Sequence, residues 1–353
     1  MRSRPGLSPA AKRIFFTAST FFTLSEGSDG NSLFSRHPHT QSSRPVHMNI
    51  RSKFLIVPLG LLLATLVPAG PEPNHNTACA QDKKIILERA DRLQGGEERS
   101  PAGRIEQVRT VSGNVVFRQE NLLLRCDRAT EFLESGTVKL RGDIFITDGK
   151  IEVYCDNALY FPDRKIAELE KNVRSRTLED DLRTKSKRAK IDNVNDRVWI
   201  FDDAVAWQDD RQLSGDSIMV QLAEIDGKKK AKHIVTSGKA FFAARDTADT
   251  SKELYNQLSG RKMTIDLKDG SGVEGIRVES QARSLYHTYD GGEPSGVNYS
   301  SGNVIEMFFR EGKLHRILVS GNVEGKQYPD RLRGASDINL PGFRLRFDER
   351  PQF

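Results

Sequence analysis

Ser112-Gly113-Asn114-Val115-Val116-Phe117, followed by Leu123-Leu124-Arg125-Cys126-Asp127-Arg128-Ala129, is written a second time as Arg141-Gly142-Asp143-Ile144-Phe145-Ile146 and Glu152-Val153-Tyr154-Cys155-Asp156-Asn157-Ala158. Gly142 follows Gly113, and Asp156 follows Asp127, by the same 29 residues. Within each copy the apolar residues alternate: Val115 with Phe117, Leu124 with Cys126, Ile144 with Ile146, Val153 with Cys155. A period of two belongs to a strand with one buried face. Two such runs in about 30 residues make each repeat a β-hairpin, so the stretch predicts an array of antiparallel strands.

The phrase recurs outward from this pair. A degenerate third unit spans Glu170–Val173 and Leu182–Ile191, with Lys187 standing where the first two units place aspartate. Its basic run, residues 183–190, reads as a solvated outer face because the apolar residues around it keep the repeat. A clear fourth unit runs from Val198 through Val205 and Trp207 to Asp216 and Val220. Ile234–Phe242 and Leu258–Leu267 repeat the two halves again, separated by a polar insertion, residues 245–257, read as a loop. Val278–Leu285 reads as a further strand, residues 290–296 as a loop, and Gly302–Phe309 with Leu314–Val319 as a hairpin. Ser320-Gly321-Asn322-Val323 repeats Ser112-Gly113-Asn114-Val115 letter for letter. The expected organisation is a lead-in over 81–104, a repetitive β-unit over 105–268, further strands continuing or capping it over 269–325, and a Pro-containing tail over 326–353.

Ahead of the repeats, Met48-Asn49-Ile50-Arg51-Ser52-Lys53 and the apolar run Phe54–Val67 have the form of a secretory signal, ending near Ala78-Cys79-Ala80. Residues 48–80 are therefore expected to be a signal peptide that directs the chain to the periplasm. Acylation at Cys79, or retention of 54–67 as an inner-membrane anchor, are the alternatives. Residues 1–47 show no periodicity and read as a non-native leader ahead of the true start.

The formal net charge is +6, but most of it is in the leader. Residues 1–80 hold eight Lys/Arg and three acids, which leaves a net +1 for the body, and a near-neutral body argues against nucleic acid as a partner. No catalytic constellation is present, and neither an enzymatic activity nor a cofactor or metal is expected. His233, His287 and His315 are isolated in sequence and read as surface or edge residues. The aspartates between 192 and 216 read as turn residues that hydrogen-bond their own backbone. Cys126 and Cys155 occupy equivalent places two strands apart in a meander, about 9.6 Å from each other. That is beyond disulfide reach, so both are expected as free inward thiols.

The phrase Gly-x-Val-x-Phe followed by Leu-x-x-Asp-x-Ala, as at Gly113–Phe117 and Leu124–Ala129, resembles the organic-solvent-tolerance (OstA-like) family over about residues 105–325. That resemblance implies an all-β antiparallel jelly-roll, a folded-over sheet built as one run or two stacked segments. It implies an apolar groove carrying the acyl chains of lipopolysaccharide (lipid A). It also implies partners: other jelly-roll transport proteins joined edge to edge by strand augmentation, and head-to-tail self-association. By repeat position the inward, lipid-binding row falls to Val115, Phe117, Leu124, Ile144, Ile146, Val153, Trp207, Met263 and Ile265. The other classes open to the sequence are a ligand-free structural β-solenoid and a polysaccharide-acting β-helix enzyme.

Overall fold

The computed structural model describes residues 85–353, apart from positions 180, 226–227, 250, 270–271, 291–292 and 311–312. The leader, the signal segment and Cys79 lie outside the described residues. The strands are β1 (Ile86–Arg89), β2 (Arg92–Arg99), β3 (Ile105–Gln119), β4 (Leu122–Phe132), β5 (Val138–Thr147), β6 (Ile151–Phe161), β7 (Ile166–Thr177), β8 (Arg183–Asp192), β9 (Arg197–Gln208), β10 (Arg211–Ile225), β11 (Lys228–Arg245), β12 (Tyr255–Lys268), β13 (Gly272–Asp290), β14 (Glu293–Arg310), β15 (Lys313–Ser320) and β16 (Glu324–Tyr328). From β3 to β15 each pairs with its sequence neighbour in one antiparallel meander, and the sheet does not close on itself.

Each long strand is bent once, and the bends line up across the sheet. In every pairing from β3–β4 to β13–β14 the register is broken at the corner, for example between Ser112 and Val115, Arg141 and Ile144, or Ser237 and Ala240, and β10–β11, β12–β13 and β13–β14 slip once more nearer a strand end. Alternate strands turn the corner with two consecutive left-handed residues: Gly113-Asn114, Gly142-Asp143, Lys171-Asn172, Asp202-Asp203, Gly238-Lys239 and Ser280-Gln281. Glycine, asparagine and aspartate adopt that region at least cost. Gly142 is required twice over, because a Cβ there would run into the Asp127 carboxylate of the preceding strand, and Gly238 stands in the same relation to Asp216. The repeated Asp127 and Asp156 are thus corner residues, and Asn172 Nδ2 donates to Asp156 at 2.7 Å in the same arrangement.

The corner also explains the first and last strands. β2 pairs with residues 105–112 of β3 and β1 with residues 116–118, so β1 and β2 are the two arms of one bent strand around Asp91. β15 and β16 pair with the two arms of β14 in the same way. The Ser320-Gly321-Asn322 echo is their corner, with Gly321 and Asn322 both left-handed. Counting each such pair as one, the sixteen strands are fourteen bent strands, folded along the corner line into two facing half-sheets. Half A holds β2, the arms on its side such as 138–141, 217–225 and 262–268, and β15. Half B holds β1, arms such as 115–119, 144–147 and 211–214, and β16.

Between the halves lies the core. One cluster fills it from β3 to β8, including Val115, Phe117, Leu140, Ile144 and Leu169. A second fills it from β9 to β15, including Met263, Ile265, Val278 and Ile305. Ile200 packs against both, so the interior is two segments in series within one uninterrupted sheet.

Several boundaries differ from the sequence reading. Residues 86–99, expected as lead-in, form the first bent strand, with Gly95 and Gly96 inside β2. Strand β12 starts at Tyr255, so the 245–257 insertion is a loop only up to residue 254, and 293–296 belong to β14. The largest difference is the expected tail. After β16, residues 329–353, with short 3-10 turns at Asp330–Leu332, Ser336–Ile338 and Phe347–Glu349, run back across the outer face of half B. They form a third cluster in which Ile338 and Leu340 pack with Phe241, Tyr255, Leu285 and Val297.

Candidate functional site

The inner face of the folded sheet is the candidate site. Its half-B wall is built by the first repeat pair, where Val115, Phe117, Leu124, Ile144 and Ile146 are buried and Val153 is half-buried against them. Met263 and Ile265 stand on the half-A wall of the second segment. Eight of the nine residues assigned to the inward row therefore face the interior. All but the half-buried Val153 are nearly closed to solvent, Phe117 at 6% and Met263 at 0% exposure.

Trp207 does not belong to this row. Its neighbours Ala204 and Ala206 pack in the interior, which by strand alternation turns Val205 and Trp207 to the outer face. The register partners of Trp207 are Arg183 and Gln212. Arg183 Nη1 donates to the Pro351 carbonyl at 2.9 Å and Gln212 Nε2 to the Arg344 carbonyl at 2.9 Å. Trp207 is buried beneath the 329–353 segment and not in the groove.

The inner surface changes character along its length. At the degenerate third unit the half-B wall presents hydroxyls: Ser175 and Thr184 share a hydrogen bond of 2.7 Å, and Ser186 Oγ donates to the Arg188 carbonyl. Toward the end of half A near β3 and β4, Glu131 shares the inward row of Val138 and is paired with Arg109 at 2.9 Å. Burial pushes the Glu131 carboxyl upward, and Arg109 opposes the shift. At the opposite end Phe242, Leu258, Ile276, Met307, Phe309 and Leu314 line an apolar cleft edged by Asn256 and Tyr286. The sequence reading placed Phe242, Leu258, Met307, Phe309 and Leu314 on strands without assigning them a role, left Ile276 and Tyr286 unassigned, and put Asn256 in the loop. The alternation of Ile305, Met307 and Phe309 was the signal that pointed to them.

Cys126 and Cys155 face inward, buried and free. Burial pushes both thiols up to about 12. His233 is half-buried on Asp266 at 2.7 Å and His315 is exposed. His287 departs from the surface expectation: it is 8% exposed, and burial lowers its pKa. Of the 183–190 run, Arg183 and Lys185 do lie on an outer face, but that face is covered, since Lys185 pairs with Glu349 at 3.0 Å. Among the described residues no three His, Cys, Asp or Glu side chains gather as a metal site.

Among the described residues both lateral edges of the sheet are unpaired. β2 and β1 meet only β3, and β15 and β16 meet only β14. The first edge exposes Ile86, Leu87 and Leu93.

Residues 82–217 match the family described as OstA-like protein. No curated protein matches the chain. Among solved structures, that of LptH, described as the LptA-homologous periplasmic component of the lipopolysaccharide transport device of Pseudomonas aeruginosa, is similar over 43% of this chain and 97% of that chain, with 12% identity and a TM-score of 0.32.

Proposed function

With residues 82–217 an OstA-like segment, we propose that the chain is a non-enzymatic periplasmic transport protein for lipopolysaccharide, holding acyl chains between its two half-sheets. The observation that carries this reading is the inner face. Thirteen strands, β3 to β15, line one continuous interior with apolar side chains from both halves, yet the sheet closes along only one side, at its corners. Burying acyl chains there yields about 0.8 kcal/mol per methylene removed from water. The lipid-contacting row is Val115, Phe117, Leu124, Ile144, Ile146, Val153, Met263 and Ile265.

The open edges supply the second half of the reading. Strands with unpaired backbone donors and acceptors accept a further strand, so β1/β2 and β15/β16 pair with jelly-roll partners or with a second copy, extending the groove toward both membranes.

A photocrosslinking residue at Phe117 tests the groove. Crosslinks to lipopolysaccharide from Phe117, with none from the outward Arg118, are expected. Crosslinks from Arg118 alone, or from neither position, would leave a ligand-free structural role as the better account.

A further inference from the structure

The two walls of the groove are not equally held. The 329–353 segment touches every strand of half B from β14 to β6 in turn. Ile338 and Leu340 pack on Val297 and Leu285 of β14 and β13. Gln257 of β12 accepts the Leu340 N–H at 2.9 Å and donates to Asn339 at 2.5 Å. Phe343 lies against Phe241 of β11, 6.1 Å between ring centres. Gln212 of β10 holds Arg344 and Arg346, and Arg346 pairs with Asp203 at the β9 corner at 2.7 Å. Glu349 takes Lys185 of β8, and the Phe353 ring meets Arg176 of β7 and Tyr154 of β6. This line of contacts crosses the place where the interior changes from its first to its second cluster.

Among the described residues half A has no such tie. Its outer contacts over the same strands join neighbouring strands, as Lys190 over Trp199, His233 with Asp266 and Arg277 between Glu279 and Glu306 do, and the longest reach is at its far end, from Lys229 of β11 to Asp196 of the β8–β9 turn. The halves meet at a line where each ladder is interrupted, so little backbone hydrogen bonding resists rotation there. We propose that half B, splinted by residues 329–353, is the fixed wall of the groove, and that half A is the wall that swings about the corner line to admit ligand.

The inference rests on the groove reading, but its test does not need the ligand. Amide hydrogen exchange on the full chain compares the two arms of the same strands. The arms 211–214, 240–245 and 255–259 of half B are expected to exchange at least about tenfold more slowly than 217–225, 228–237 and 262–268 of half A. Loosening the splint with Gln212→Ala and Arg346→Ala together is expected to raise exchange in half B toward that of half A while leaving half A unchanged. Equal exchange in the two halves of the unaltered chain would overturn the proposal. So would a variant in which both halves loosen to the same degree. A chain that shows the asymmetry but gives no Phe117 crosslink would keep the splint and sink the transport reading.

Discussion

Gln212 grips the backbone around Arg346 as a neighbouring strand would. Its Oε1 accepts the Arg346 N–H at 2.7 Å, and its Nε2 donates to the Arg344 carbonyl at 2.9 Å. Gln212 is 1% exposed and its bond from the Arg346 N–H is buried, so no water substitutes for it. The same crossing is reinforced from Arg346, whose guanidinium reaches Asp203 at 2.7 and 2.9 Å and Glu349 at 2.6 and 2.9 Å.

Gln212→Leu keeps much of the volume and removes both bonds, stranding the buried Arg346 N–H and the part-buried Arg344 carbonyl. Each orphan costs about 1–3 kcal/mol, so a loss of about 2–5 kcal/mol is expected in urea unfolding. Asp203→Ala, which removes an ion pair at an exposed corner residue (58% side-chain exposure), is expected to cost less, about 1 kcal/mol or below. An equal or larger effect of the Asp203 change would mean that charge, not the amide clamp, fixes the segment.

The corners make a second, sharper prediction. Gly142→Ala meets both the left-handed backbone, φ +76°, and the Asp127 carboxylate. Strain of this kind costs about 1–3 kcal/mol before the clash is counted. Gly96→Ala, on the open edge strand with no heavy atom within 4 Å of the new Cβ, is expected to stay within about 0.5 kcal/mol. Adding Asp127→Ala to Gly142→Ala should recover only the carboxylate part of the clash, because the Cβ at 127 stays 2.8 Å from the new one, and none of the backbone strain. Full recovery in thermal unfolding would refute the assigned conformation.

How far the sequence carried these assignments depends on which residues signal locally. The alternation of Val115 with Phe117 and Ile144 with Ile146 reports a buried strand face, and those residues line the interior as expected. Gly321 and Asn322 were legible as a copy of Gly113 and Asn114, although the copy is of a corner and not of a whole repeat. Trp207 was misplaced because Ala204-Val205-Ala206-Trp207 is apolar on both faces, and size pointed the wrong way: the alanines line the core while Val205 and Trp207 face outward. The segment that makes the outer face a buried one has no period of its own. Its anchors, Gln212, Gln257, Asp203 and Lys185, are polar residues that a one-face pattern assigns to solvent.

Cys126 and Cys155 provide a chemical check on the meander. Burial raises both thiols to about 12, and the thiolate is the reactive species. Neither is expected to react with Ellman's reagent at pH 8 until the chain unfolds, when both should react. A Cys126–Cys155 disulfide on a non-reducing peptide map would contradict the antiparallel register that places strand β5 between them.

Acid should release the segment across half B before it unfolds the groove. Hydrogen bonds from Arg346, then Lys185, pull the Glu349 carboxyl down to about 2 from an ordinary 4.5. A depressed carboxyl contributes its stability above the ordinary value and loses it as pH falls toward the folded one, so the window is pH 4.5 to about 2. Asp181, held low chiefly by Arg183 and also paired with Arg350 at 2.9 Å, titrates in the same direction. Trp207 lies beneath this segment, and in a Trp199→Phe background it is the remaining tryptophan. Its emission should shift to longer wavelength across that window while circular dichroism keeps its strand signal. Glu349→Gln should weaken attachment at neutral pH and flatten the acid step. An unchanged step in that variant would show that the ion pairs of Glu349 do not hold the segment.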